Sequence, residues 1–165
     1  MNRSTLDTPV GTLQLAVDFD GALVEILLPN RGPRAAADAP SRAAAHGMDR
    51  AKHQLDEYFS RRRRAFDLPL RPAGSPFEQR VWRKLLDIPY GITTSYGAIA
   101  GELALANGAR AVGHANGTNP IPIVIPCHRV IGSDGSLTGY GGGLSLKRRL
   151  LELEGAIELP PPTLF

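Results

Sequence analysis

The single cysteine of the chain, Cys127, is followed directly by His128. A cysteine thiolate is a strong nucleophile, and a neighbouring imidazole can accept the proton that the thiol must lose. Adjacent side chains of an extended strand point to opposite faces, so His128 can serve Cys127 only where the chain turns or through a water. Glu152 and Glu154 are the candidates to orient the imidazole. Because a lone cysteine is more often an inert buried side chain, nucleophilic chemistry is here a hypothesis that needs further support.

The composition limits the classes of protein that could carry this pair. The chain has 165 residues, of which 42% are hydrophobic, and its 18 glycines and 14 prolines argue against an all-helical bundle. One cysteine excludes an internal disulfide, a four-cysteine zinc site and an iron–sulfur cluster. Apolar runs are far shorter than the roughly 20 residues of a membrane helix, and the first residues lack a signal-peptide core. We therefore expect no membrane association and a reducing, cytoplasmic location.

The charge permits a nucleic-acid partner without requiring one. The net charge is +3 and the isoelectric point is about 9.3. Residues 1–72 carry +2 and residues 73–165 carry +1, so neither part is strongly basic. DNA binding would depend on the placement of a few cations. We interpret the arginine run at residues 61–64 as a solvated helix end rather than a phosphate contact.

The N-terminal part is predicted to be a small sheet followed by a helix. Apolar alternation over residues 13–17 predicts a half-buried strand, and residues 23–28 predict a second, more apolar one. Residues 29–45, rich in proline, alanine and arginine, are predicted to be an exposed loop. The spacing of apolar residues over 48–60 is typical of an amphipathic helix. A proline-containing connector over residues 65–74 places a domain boundary near its end.

The C-terminal part is predicted to be mostly helical. A capping box at residues 75–78 begins one helix. Two short helices over residues 96–103 and 108–115, joined by a tight turn, suit a helix-turn-helix, although this signal is weak alone. The prolines of NPIPIVIP, residues 119–126, predict an extended buried segment that leads to Cys127. A glycine-rich loop and a last helix, residues 145–154, complete the chain.

The run RAVGHANGTNPIPIVIPCHRVIGSDGSLTGYGGGLSLKRRLLELEG closely resembles the O6-alkylguanine–DNA alkyltransferases, whose signature is PCHRV. The resemblance covers nearly the whole chain and is weakest over residues 29–47. It implies an α/β fold in two parts. A small N-terminal RNase H-like β-sheet domain would occupy residues 1–72. A mostly helical C-terminal domain with the helix-turn-helix would occupy residues 73–157, and residues 158–165 would form a tail.

The resemblance also implies an activity, which is direct-reversal DNA repair. The protein would flip an O6-alkylguanine, and also an O4-alkylthymine, out of the duplex and move its alkyl group to Cys127. Because the thioether product is stable, each molecule would act once. Double-stranded DNA containing alkylated bases is the implied partner, and no cofactor is needed because the damaged DNA supplies the alkyl group. Self-association on DNA is left open.

The family's catalytic roles fall on five residues of this chain. Cys127 matches the alkyl acceptor, and His128 matches the base that reaches the thiol through a water. Glu154 matches the carboxylate that holds this histidine, which leaves Glu152 as a surface residue. Asn119 matches the asparagine that shapes the active-site turn. Tyr96 matches the tyrosine that donates a proton toward the departing purine and contacts DNA.

The family's DNA and pocket residues also have matches. Arg110 matches the arginine that intercalates where the flipped base was, with docking in the minor groove. The small residues implied to line the recognition helix are Ala111, Val112, Gly113 and Ala115. The residues implied to wall or support the base pocket are Arg129, Tyr140, Gly141, Gly142, Gly143 and Lys147.

Departures and alternatives complete the prediction. Some members carry an N-terminal zinc site, but no cysteine precedes Cys127, so no metal is expected. A non-transferring relative that only binds alkylated DNA typically lacks the acceptor cysteine. A cysteine hydrolase would need an oxyanion hole and a carbonyl to attack, for which the motif gives no sign. A helix-turn-helix regulator with an incidental cysteine would keep full function without Cys127.

Overall fold

The computed structural model describes residues 1–35 and 39–157. The predicted tail, residues 158–165, and part of the predicted loop, residues 36–38, lie outside the described residues. The strands and helices, in chain order, are β1 (Asn2–Thr8), β2 (Gly11–Val17), β3 (Leu23–Leu27), α1 (Arg42–Phe59), α2 (Pro76–Leu86), β4 (Thr94–Ser95), α3 (Tyr96–Glu102), α4 (Ala109–Gly117), β5 (Val130–Ile131) and α5 (Leu144–Leu153). Short 3₁₀ turns cover Pro29–Arg31 and Cys127–Arg129.

The N-terminal sheet is antiparallel, with the order β1-β2-β3. The sequence did not predict β1, which lies on one edge of the sheet. The expectation of a half-buried β2 was also wrong, because Leu13 to Val17 are all buried. Even Gln14 is buried, and its side chain bonds to the backbone of Arg34 at both its amide oxygen and its amide nitrogen. A central strand packed on both faces loses the alternation that an exposed face would give.

Helix α1 begins earlier than its apolar spacing predicts. It starts at Arg42, and the Ser41 hydroxyl caps it by accepting from Ala44 N. The predicted loop over residues 29–45 is therefore wrong at its C-terminal end, where alanines and a serine cap favour a helix. The helix ends at Phe59, and Arg61 turns the chain with a positive φ of 63°. Arg63, which lies beyond the end of α1, pairs with Glu57 of that helix.

The C-terminal helices confirm the predicted pattern closely. Ser75 and Glu78 form the capping box of α2. The buried Trp82 of α2 donates from Nε1 to the Ala115 carbonyl of α4 over 2.8 Å, which fixes the two helices together. Helices α3 and α4 form the helix-turn-helix, and β4 pairs in parallel with β5 beside the cysteine turn. No helix within the described ranges is long and apolar enough to cross a membrane.

One hydrophobic cluster joins the sheet, α1 and the C-terminal helices. Backbone contacts cross between the two parts as well. Ile26 N of β3 donates to Pro120 O over 2.9 Å, just before the segment that carries the cysteine. The N-terminal sheet is thereby held against the active-site segment, and it can contribute side chains to that site.

Candidate active site

The segment before Cys127 is a tight reversal, so the prediction of an extended strand was wrong. Asn119 organises it, since Oδ1 accepts from Ile121 N and Nδ2 donates to Ile125 O over 2.9 and 2.8 Å. Ile125 N also donates to Ile121 O, and Ile123 takes a positive φ of 75°. Prolines fix only their own φ, so they do not keep the residues between them extended. The two hydrogen bonds of Asn119 hold Ile123, a β-branched residue, in a backbone conformation that such residues seldom adopt.

Cys127 begins the 3₁₀ turn that follows this reversal, and it is 4% exposed. In this turn the side chains of Cys127 and His128 need not point to opposite faces, because successive residues no longer alternate as they do in a strand. Burial raises the pKa of the Cys127 thiol to about 11, although a hydrogen bond from Asn119 and the charge of Lys147 oppose the rise. The resting side chain at neutral pH is therefore a protonated thiol that needs a base.

His128 is fully buried and bonds to Glu154, with Nε2 2.7 Å from Oε2. Burial would raise the pKa of Glu154, but hydrogen bonds from His128 and Arg129 hold it at about 2. An ionised carboxylate can only accept, so Nε2 carries the hydrogen and Nδ1 offers its lone pair. Burial lowers the pKa of His128, against the effect of Glu154. The histidine is thus a neutral base whose available nitrogen is Nδ1.

Arg129 completes the support of the carboxylate. Its Nε donates to Glu154 Oε1 over 2.8 Å, and its Nη2 donates to Oε2 over 2.9 Å. Its Nη1 donates to Ile88 O over 2.7 Å, and the guanidinium lies over the Tyr90 ring. This bidentate pair fixes the orientation of Glu154 from behind. Glu152, the other acidic candidate, instead pairs with Arg148 on the surface of α5.

Sequence reasoning missed Tyr58 of α1 as a neighbour of this group. Its hydroxyl donates to Glu154 Oε2 over 2.6 Å, and the two residues are 96 positions apart. The only signal available was that a tyrosine on the apolar face of a helix needs a hydroxyl partner when it is buried. Local spacing cannot identify a partner so distant in the chain.

A cleft of about 350 Å³ opens beside Cys127. Its walls come from both parts of the chain: the β3 end supplies Glu25 to Leu28 with Arg31 and Arg34, and the C-terminal part supplies the remaining wall. The expected site residues that line it are Cys127, Asn119, Tyr140 and Gly141. Sequence reasoning also missed Asn116, which lines the cleft and donates from Nδ2 to Cys127 O over 3.3 Å.

Three expected pocket residues lie behind the cleft wall. Arg129 contacts Glu154 and does not line the cleft. Lys147 of α5 is buried and donates to Val130 O and Thr138 O over 2.6 and 2.8 Å. Burial lowers the pKa of Lys147 to about 8. Gly142 approaches Leu28 so closely that a Cβ there would lie 2.7 Å from its side chain. These residues support the cleft without lining it.

The helix-turn-helix presents part of the expected DNA surface. Arg110 and Ala111 of α4 are exposed, and Gly113 faces the ring of Tyr96. The prediction for Ala115 was wrong, because this residue is only 1% exposed. Ala115 and Val112 are three positions apart, so both side chains face the core from the same side of α4. The Tyr96 hydroxyl donates to Thr138 O over 3.1 Å, and Tyr96 does not line the cleft.

The sequence matches two family profiles that together cover most of it. Residues 1–72 match the ribonuclease-like domain of 6-O-methylguanine DNA methyltransferase. Residues 76–156 match the DNA binding domain of 6-O-methylguanine DNA methyltransferase. The fold and the site define a mixed α/β protein with an antiparallel sheet packed on a helical part that holds the cysteine.

Individual relatives agree over nearly the full length. The chain is 46% identical to a methylated-DNA–protein-cysteine methyltransferase of Mycobacterium tuberculosis, with 98% of this chain and 96% of that protein covered. A protein of the same name from Methanosarcina acetivorans is 39% identical, with 94% of this chain and 99% of the relative covered. The crystal structure of M. tuberculosis OGT in complex with DNA is similar, with a TM-score of 0.84, 44% identity and 94% of each chain covered. The chain belongs to the 6-O-methylguanine DNA methyltransferase family.

Proposed function

We propose that this protein repairs alkylated duplex DNA by moving the alkyl group of an O6-alkylguanine to Cys127. The observation that carries the proposal is the buried thiol at the wall of a cleft, followed by a histidine whose tautomer Glu154 fixes. The M. tuberculosis relative solved with DNA supports the choice of partner. The family name supports the choice of lesion.

The transfer step is a displacement at the alkyl carbon. The thiol proton passes toward Nδ1 of His128 through a bridging water, and the Cys127 sulfur then attacks the carbon. The S–C bond forms as the C–O6 bond breaks, and the bonding pair leaves with the guanine oxygen. The purine takes up one proton through Tyr96, which recovers it from the imidazolium through solvent, so the products are neutral guanine and a thioether. Glu154 stabilises the transient positive charge on His128.

The bulky base must leave the duplex to reach the cleft, because its reacting oxygen lies inside a base pair. We propose that α4 docks in the minor groove and that Arg110 enters the stack where the base was, at an unstacking cost of about a few kcal/mol. Tyr96 would donate to the departing purine, for which its hydroxyl must leave Thr138. The cleft, with a volume of about 350 Å³, would also accept an O4-alkylthymine.

The proposed reaction ends with a stable thioether, so each molecule acts once. A thioether has no carbonyl for water to attack, which disfavours the hydrolase alternative. We propose a reducing cytoplasmic setting because the nucleophile must remain a thiol. We also propose that residues 1–72 and 73–157 are the two domains. Glu25 to Leu28 and Tyr58 come from the first of them and Cys127 from the second, so both would be needed for activity.

Mass spectrometry of peptides tests this function directly. The protein is incubated with duplex DNA carrying one O6-methylguanine, with Cys127→Ala as the matched control. We expect the peptide containing Cys127 to gain one CH₂, with at most one equivalent transferred and none in the control. Tight binding to the lesion with an unmodified Cys127 would favour the non-transferring alternative. A Cys127→Ala variant with full function would favour a helix-turn-helix regulator.

A further inference from the structure

Helix α1 of the N-terminal part contributes one side chain to the proton-accepting group. Tyr58 is fully buried, with its ring against Phe59, Phe66 and Tyr90 at centroid distances of 5.1, 5.5 and 6.2 Å. This packing leaves its hydroxyl aimed at Glu154, 2.6 Å from Oε2. The ring is held on three sides, so the position of the hydroxyl is set by the N-terminal part and by the start of the C-terminal part.

The two carboxylate oxygens of Glu154 accept different numbers of hydrogen bonds. Oε1 accepts from Arg129 Nε, whereas Oε2 accepts from Arg129 Nη2, from His128 Nε2 and from the Tyr58 hydroxyl. A carboxylate oxygen offers about two lone-pair directions, so three donors on Oε2 must share its electron density. The tyrosine therefore competes with the imidazole for the oxygen that stabilises the imidazolium.

We propose that Tyr58 is a positioning residue of the alkyl-transfer reaction: its hydroxyl aims the Glu154 carboxylate and limits how strongly that carboxylate raises the basicity of His128. This inference rests on the proposed function, because it assigns Tyr58 to the same proton transfer. It gives the N-terminal part a chemical role, in addition to its wall of the cleft. Tyr58 acts through Glu154 and does not touch the reacting atoms.

The other charged and titratable groups around His128 define what a pH profile can report. In addition to burial, Arg129 of the same turn and Lys147 of α5 lower the pKa of His128 through their charges. Cys127 precedes it in the chain, and Tyr140 of the glycine-rich loop lies near the thiol and the carboxylate. Below pH 7, Lys147 stays charged because its pKa is about 8. Cys127 and Tyr140 stay protonated because burial raises the pKa of both, that of Cys127 to about 11. The acid limb of the transfer rate therefore reports His128.

The first test is Tyr58→Phe, read as the rate of methyl transfer against pH. Removing the competing donor strengthens the bond between Glu154 and His128, so the pKa of the histidine rises. We expect the acid limb to move to higher pH by about half a unit to one unit. We expect the plateau rate to fall about tenfold because the carboxylate is less well aimed, with unchanged binding to lesion DNA.

Tyr90→Phe is the matched control. It removes a hydroxyl from a ring that packs against Tyr58, but this hydroxyl donates to the Leu153 carbonyl over 3.3 Å rather than to the carboxylate. We expect its acid limb to coincide with that of the wild type. A shift of equal size in both variants would overturn the proposal, because it would then follow from the loss of any buried hydroxyl nearby.

Site-specific incorporation of 3-fluorotyrosine at position 58 decides the matter even where the phenylalanine variant fails to fold. Fluorine makes the hydroxyl a stronger donor at almost unchanged volume. The hydroxyl should then compete more strongly for the electron density of Oε2, lower the pKa of His128 and move the acid limb to lower pH. Opposite shifts in the two variants support the proposal. An unmoved limb in the fluorinated protein overturns it. A wild-type protein that transfers no methyl group would instead overturn the proposed function.

Discussion

The two nitrogens of His128 face very different surroundings. On the Nε2 side, Glu154 is bonded by side chains from α1, the cysteine turn and the histidine itself. By contrast, His128 Nδ1 has no protein partner within the described residues, and neither do Asn116 Oδ1 and the Tyr140 hydroxyl, two buried polar atoms of residues that line the cleft. The hydrogen bonds of the Glu154 carboxylate are complete in the folded protein, whereas these three atoms keep bonding capacity for a substrate or water.

This difference separates support from reaction. A buried polar group without a partner costs about 1–3 kcal/mol, so a fold seldom keeps several together without use. Asn116 and Tyr140 line the cleft beside Cys127. We therefore expect substitutions on the Nε2 side to affect both stability and transfer. Substitutions on the cleft side should affect transfer while leaving the free energy of unfolding almost unchanged.

The largest expected effect comes from Glu154→Gln. The amide leaves Arg129 as an uncompensated buried charge, so we expect the free energy of unfolding to fall by about 3–5 kcal/mol in chemical denaturation. The amide can also donate to Nε2 and so favour the wrong tautomer of His128. Methyl transfer should then fall by on the order of 10³-fold. Single-turnover kinetics on O6-methylguanine DNA measure this loss.

Glu152→Gln is the control for that experiment, since it makes the same change two residues away on a surface pair with Arg148. It should alter the free energy of unfolding by about 0.5 kcal/mol or less.

The pH dependence of unfolding gives a second contrast between Glu154→Gln and Glu152→Gln. The pKa of Glu154 is depressed in the folded state, so its contribution is complete above its ordinary value of 4.5 and is lost as the pH falls toward 2. Glu154→Gln should lack this slope, and equal slopes in both variants would contradict the assignment.

An intermediate effect is expected for the resting thiol. Because burial raises the pKa of Cys127 to about 11, its thiolate fraction at neutral pH is about 100-fold below that of an ordinary cysteine. Labelling with iodoacetamide, followed by mass spectrometry, should be slower than labelling of a small thiol by at least that factor. The rate should rise steadily with pH. A fast reaction at neutral pH would mean that the free protein already holds a thiolate.

The smallest effect on stability is expected for Tyr140→Phe. The Tyr140 hydroxyl is buried without a protein partner in the described part of the chain, so its removal should change the free energy of unfolding by less than about 1 kcal/mol. We expect methyl transfer to fall, because this hydroxyl belongs to the cleft wall and has bonding capacity left for the substrate. Tyr58→Phe removes a bonded hydroxyl by the same substitution and should destabilise more. A larger loss of stability in Tyr140→Phe than in Tyr58→Phe would contradict the proposed difference between the two groups of residues.

Much of the architecture follows from local signals in the chain. Ser75, Pro76 and Glu78 specify the start of α2 because capping involves residues three positions apart. The helix-turn-helix and the last helix follow from apolar spacing in the same way. The strand β1 and the full burial of β2 could not be predicted, since both depend on which strands become neighbours. The reversal before Cys127 was missed because its determinant is the pair of bonds from Asn119 across the loop.

The sequence by itself determined the chemistry available to this protein: one thiol, an adjacent imidazole, a carboxylate at the family spacing and a pair of short helices. The tertiary structure alone decided which atoms meet. It turned Ala115 into the core, placed Arg129 and Lys147 behind the cleft and brought Tyr58 to Glu154, the carboxylate that the resemblance had already favoured over Glu152. The physical reason is that residue types and periodicity act over a few positions. Hydrogen bonds between buried side chains join residues from anywhere in the chain.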